Sequence, residues 1–203
     1  GQYTLQQILK GNEPLGGSGA TAALQGDRMG ESVAIDGNTI VVGHWRDDVS
    51  GGDSGAALVY AFDGTNWILQ TIIEGNAAEG GILTGGERLG FDVDISGDTV
   101  VLGAYLEDTG SGNNRGAAYI YQRNDQGDGD VTNDVWSLLQ VIDGDEAVPG
   151  LSSEDQFGVS VAIDGTRMIV GGHGDDQTEG NSGSAWIFER ADTVSAFDIG
   201  TVQ

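Results

Sequence analysis

Three stretches of this chain are copies of one another, and that repetition constrains its fold more than any other feature. Met29 to Gly43 aligns with Leu89 to Gly103 and with Phe157 to Gly171. The anchor glycines Gly30, Gly90 and Gly158 stand 60 and 68 residues apart, and Gly43, Gly103 and Gly171 keep the same two spacings. Each copy continues alike. A long acidic, Gly-rich loop leads into a strand of small residues beginning at Gly55-Ala56-Ala57, Gly116-Ala117-Ala118 or Gly183-Ser184-Ala185. A Trp-led strand, Trp67 to Ile73 or Trp136 to Ile142, closes the first two copies.

Each copy therefore predicts four short antiparallel strands. Asp36-Gly37, Ser96-Gly97 and Asp164-Gly165 supply hairpin turns between strands one and two, since glycine reaches positive φ without steric cost. Strand two is almost continuously apolar (Ile40 to Val42, Val100 to Leu102, Met168 to Val170), as a strand covered on both faces must be. No segment holds a 3.6-residue period over eleven residues. The fold class is all-β, and a repeated four-stranded unit predicts β-propeller blades. The small residues of strand three let neighbouring sheets approach closely. The whole chain, 1–203, reads as one propeller segment with repeats at about 28–75, 88–143 and 156–203.

The chain carries 32 Asp and Glu against 8 Lys and Arg, a net charge of −24. Such a surface repels phosphate backbones and anionic lipid heads, which excludes nucleic-acid and membrane-surface partners. It suits cations, basic partners or a saline medium, and equally it keeps a Gly-rich β protein in solution. With no Cys there is neither a disulfide nor a thiolate metal site. No stretch approaches the ~18 apolar residues of a membrane span, so no membrane insertion is expected.

Phe157-Gly158 near the start of a repeat and Gly103-Ala104 after strand two resemble the FG-GAP repeat, known from the integrin α-subunit propeller and from bacterial surface proteins. Met29-Gly30 and Leu89-Gly90 are conservative departures, Gly43-His44 and Gly171-Gly172 keep only the second glycine, and the motif's proline is absent throughout. The resemblance covers roughly residues 1–190. It implies an extracellular or cell-surface propeller that mediates adhesion or recognition, often with Ca²⁺. The integrin-type Asp-x-Asp-x-Asp-Gly-x-x-Asp loop is not present intact.

Three repeats are too few to close a ring. Tyr3 to Asn12 matches the strand-four pattern without strands one to three of its own, whereas Ala191 to Gln203 shows no Trp-led match. Residues 1–12 therefore read as the outer strand of a neighbouring blade. Tyr3, Leu5, Ile8 and Leu9 are its candidate interface residues. The neighbour is either another copy of the chain, joined by strand exchange into a ring or fibre, or further blades of a longer chain.

The long loops between strands two and three share one end of the blades with those between repeats, and that end should carry recognition of a protein or glycan ligand. Asp47, Asp48 and Asp53, Glu107 and Asp108, and Asp175 and Asp176 recur there at matching positions. Clustered carboxylates among Gly, Asn and Ser carbonyls suit Ca²⁺, and the same residues equally cap turns. In the second repeat Asp128, Asp130, Thr132 and Asp134 place oxygens at alternate positions, as a calcium loop does, without the bidentate Glu. His44 and His173, the two histidines, would need carboxylates as well to hold zinc. Trp45, alone among the tryptophans, falls in a loop and reads as an exposed ligand contact. No Ser-His-Asp arrangement or carboxylate pair stands out against so acidic a background, so the expected function is a binding, adhesion or structural module. Self-assembly is the alternative, and a glycan-active propeller enzyme is a third reading.

Overall fold

Each copy of the repeat folds into its own antiparallel sheet. The computed structural model describes residues 2–10, 28–48, 52–74, 86–107, 114–144, 154–175 and 182–198. The first blade is β1 (Val33–Asp36), β2 (Thr39–His44), β3 (Ala56–Phe62) and β4 (Trp67–Glu74), hydrogen-bonded in that order. The second repeats it with β5 (Val93–Ser96), β6 (Thr99–Ala104), β7 (Ala117–Asn124) and β8 (Val135–Asp143). The third has β9 (Ser160–Asp164), β10 (Arg167–Gly172) and β11 (Ser184–Glu189). No helix occurs among the described residues, and the three sheets do not close into a ring. The expected β-propeller blades are present.

The blades match to the residue. Asp36 pairs with Thr39, Ser96 with Thr99 and Asp164 with Arg167, each across a two-residue hairpin opened by a positive-φ glycine. The outer strand is bulged at one repeat position in both complete blades, between Val59 and Tyr60 opposite β4 and between Ile120 and Tyr121 opposite β8.

Packing between blades is what makes a fold of these sheets, since a lone twisted sheet leaves both apolar faces in water. Val41, Ala57, Val59 and Ile73 of blade one are buried against Leu89, Val93, Ile95, Val100, Leu102 and Tyr119 of blade two. Val101, Ala118, Ile120 and Ile142 of blade two meet Phe157, Val161, Ile163, Met168 and Phe188 of blade three. Leu89 and Phe157 are fully buried wedges at the two junctions.

Beside each wedge runs a contact only glycine allows. A Cβ on Gly43 would collide with the Gly90 carbonyl oxygen, and one on Gly103 with that of Gly158. In return, Gly90 lies against the Ala56 carbonyl and Gly158 against that of Ala117, both with positive φ. The Phe-Gly and strand-two glycines of the sequence pattern are thus two sides of one backbone-to-backbone junction.

The inner strands β1, β5 and β9 are sheet edges, and at β5 and β9 side chains of the preceding blade satisfy edge amides. Val93 N–H donates to Ser32 Oγ (2.9 Å) and Gly97 N–H to Asp36 Oδ2 (2.6 Å). Val161 N–H donates to Asp92 Oδ2 (2.8 Å), Ile163 N–H to Asp94 Oδ2 (2.7 Å) and Gly165 N–H to Ser96 Oγ (3.0 Å). Acids at strand positions are therefore rungs between blades, and an unpaired edge amide finds a partner.

Candidate functional site

The long-loop end is built on one buried acid per blade. Asp47, Glu107 and Asp175 each lie almost wholly out of solvent. Their backbone carbonyls accept the N–H of Gly55 (3.0 Å), Gly116 (3.1 Å) and Gly183 (3.1 Å), which ties off the base of each loop. Ser54 and Ser182 hydroxyls add a second donor to the carbonyls of Asp47 (3.1 Å) and Asp175 (3.2 Å). The Asp47 carboxylate stands 3.3 Å from His44 Nδ1. Glu107 accepts the Tyr119 hydroxyl at 3.3 Å, and burial, with Glu107 beside it, pushes the Tyr119 hydroxyl far above its usual range. Asp48 Oδ1 accepts the N–H of Asp53 (2.7 Å), which itself has φ of 55°. Asp108 and Asp176 lie outside the described residues.

In the β7–β8 connection the oxygens are engaged in a chain of turns. Asp128 accepts the N–H of Asp130 (2.8 Å) and the Asn133 amide (2.8 Å). Asp130 accepts both the N–H (3.0 Å) and the hydroxyl (2.6 Å) of Thr132. Asp134 is buried 3.6 Å from Arg123 Nη1; burial raises its pKa and the guanidinium opposes that shift. Among the described residues no three His, Asp or Glu side chains gather to hold a metal ion. The carboxylates of Asp48, Asp128 and Asp130 thus act as turn caps, and the backbone carbonyls of Asp47, Glu107 and Asp175 act as loop ties. His44 is buried on blade one and His173 exposed on blade three, so they share no zinc site.

Trp45 is not an exposed contact. It is 4% exposed, with the guanidinium groups of Arg46 at 4.6 Å and Arg88 at 4.8 Å over its ring. Phe91 meets it edge-on at 5.6 Å, and its Nε1 donates to Glu31 at 2.8 Å. Arg88 and Phe91 belong to the second repeat, so Trp45 seals the first junction from above. Its repeat position, shared by Tyr105 and His173, was the available clue.

Residues 2–10 enter no strand ladder. They lie across blade one as an outer strand of a preceding blade would. Leu9 packs against Val42, Leu58 and Tyr60. Gln7 grips the backbone of Trp67, donating to its carbonyl and accepting from its N–H, both at 2.8 Å. Tyr3, Leu5 and Ile8 remain exposed. Gln140 on β8 holds Phe197 in the same two-handed way, at 3.1 and 2.7 Å. Phe197 is buried, and Asp198 bridges Glu189 as Ile68 pairs with Ala61 in blade one. The third blade therefore does begin a fourth strand, with Phe in place of Trp. Phe197 stands where a Trp-led pattern has no match.

A profile described as the FG-GAP repeat matches residues 20–60, 84–121 and 149–188, together more than half of the chain. The chain belongs to the FG-GAP repeat family. Each match ends inside or just before the outer half of a blade, so the profile recognises the wedge, the paired glycines and the first three strands of each FG-GAP blade. The comparison with curated proteins gives no match.

Proposed function

We propose that this FG-GAP chain is an extracellular, non-catalytic module for recognition or structure, whose ligand is met by the long loops at one end of the blades. One observation carries this reading: the strand-two-to-three loops of all three blades leave the sheets at the same end, each from a buried acid-to-amide tie. That gives a rigid base with changeable loops, the arrangement on which binding sites are commonly placed. The test replaces residues 49–51, 108–113 and 176–181 with glycine and serine and measures binding to immobilised glycan and protein arrays. Binding lost at an unchanged melting temperature is expected. A loop-replaced chain that binds as the parent does, or measurable hydrolysis of an array glycan, would overturn the reading.

Calcium enters through melting temperature. A cation present at 100 times its Kd adds about 2.7 kcal/mol, or about 5–10 °C for a chain of this size. The carboxylates of Asp48, Glu107, Asp128 and Asp130 already accept protein donors, so chelation is expected to move the melting temperature by less than about 2 °C. A fall in the larger range would show that a bound cation stabilises the blades.

A second reading, self-association, is favoured by a separate observation: the stack presents apolar residues at both ends. Val33 and Ile35 are exposed on blade one, and Ile169 and Ile187 on blade three.

A further inference from the structure

The two ends of the stack are the two halves of one junction. At the junctions inside the chain, blade two presents Val93 and Ile95, and blade three Val161 and Ile163, all 4–8% exposed. The equivalent pair on blade one, Val33 and Ile35, is 64% and 65% exposed. On the receiving side, Val41, Val59, Val101 and Ile120 are fully buried, whereas their counterparts Ile169 and Ile187 on blade three are 42% and 74% exposed. These two apolar pairs of the internal junctions are thus uncovered, one at each end of the stack.

The glycines give a sharper imprint. Gly43 and Gly103 have no side chain because the next blade's Gly90 or Gly158 carbonyl occupies that space. Gly171 stands at the same repeat position, yet the nearest atom to a Cβ there is the Ser160 Cβ at 3.6 Å. Nothing among the described residues of blade three requires glycine at this site, and its φ lies outside the left-handed region. Conversely, Gly90 and Gly158 press on the carbonyls of Ala56 and Ala117, whereas around Gly30, in the same conformation, a Cβ would meet none of the described residues within 4 Å. The polar rungs match too. Ser160 and Asp164, both exposed, occupy the acceptor positions of Ser32 and Asp36, and Val33 and Gly37 carry the amides equivalent to those of Val93 and Gly97.

We propose that the β9–β11 face of one copy docks on the β1–β3 face of a second copy, head to tail, with the Met29-Gly30 backbone seated against Gly171 and Gly183. This rests on the self-association reading and gives it a geometry. A second copy fits as the partner, since the chain carries both complementary faces, down to the missing Cβ. Such a heterologous contact builds a ring if its rotation closes and a filament if it does not.

The experiment is sedimentation velocity on the 203-residue chain over a wide concentration range, with three variants whose folding is checked by melting. Val33→Arg spoils one face and Ile187→Arg the other, each at an exposed position. The parent is expected to associate with concentration and each variant to stay monomeric. An equimolar mixture of the two variants should form dimers and nothing larger, because one sound pair of faces remains. Gly171→Ala adds a single methyl group that the isolated blade accommodates, and it should abolish association; a merely sticky apolar patch would associate at least as well. A monomeric parent, a mixture that stays monomeric, or a Gly171→Ala chain that associates like the parent would each overturn the proposal. Deleting residues 1–10 separates this docking from strand exchange: association persists if the faces carry it, and its loss would assign the contact to Tyr3–Leu9 and overturn face docking. Failure here leaves the loop-recognition reading standing, since that is measured by array binding.

Discussion

Phe157→Ala is expected to cost about 3–5 kcal/mol, the range for emptying a fully buried aromatic site. For a chain of this size that is about 6–20 °C in melting temperature. Phe157 is the wedge of the second junction. It is wholly buried, packs at 5.3 Å from the Trp186 ring and 6.1 Å from the Phe188 ring, and lies among the residues that blade two presents to blade three. Its removal opens a cavity between two sheets whose inner edges are already tied by Asp92, Asp94 and Ser96, so the junction cannot easily collapse to refill it. Ile187→Ala, on the uncovered face of the same blade, should change stability by no more than about 0.5 kcal/mol. Thermal melts of the two variants beside the parent make the comparison. A loss below about 1 kcal/mol at Phe157 would mean that blades two and three do not stack on this wedge.

The second large effect is a contrast within one repeat position. Gly103→Ala places a methyl group on the Gly158 carbonyl oxygen, a backbone atom that can yield only if the blades part. Overpacking of this kind costs about 1–3 kcal/mol, and the rigidity of both partners puts Gly103 at the upper end. Gly171→Ala makes the same chemical change where the nearest neighbour is 3.6 Å away. It should be neutral, or stabilising by a few tenths of a kcal/mol up to about 1 through a stiffer unfolded chain. Chemical denaturation of both variants measures the difference. Equal costs at the two positions would show that the glycines serve the local strand and not the junction.

The blades were legible because their causes are local and periodic. Apolar strand-two runs such as Val100 to Leu102, the Gly-led hairpins and the small residues of strand three each act through their own sheet, and three copies corroborated one another. The loop acids were legible as residues, and their repetition alone fits two roles. Asp47, Glu107 and Asp175 recur in register, which a shared cation and a shared loop tie predict alike. The loop tie is present: backbone carbonyl-to-amide bonds at 3.0–3.1 Å close each loop on itself. Trp45 read as exposed because a loop residue has no strand pattern to announce burial, and the groups that cover it come from about 45 residues further along the chain. Phe197 was overlooked because one aromatic had replaced another.

By itself the amino-acid order determined which residues pair within each sheet, since hydrogen-bond register and alternation are set between neighbours in the chain. Which face of each sheet would meet another, why Gly43 and Gly103 carry no side chain, and where the acids spend their charge were decided only in three dimensions. Those depend on backbone approaches between segments such as Gly43 and Gly90 or Gly103 and Gly158, 47 and 55 residues apart, and a linear pattern records that glycine is present there without recording what stands against it.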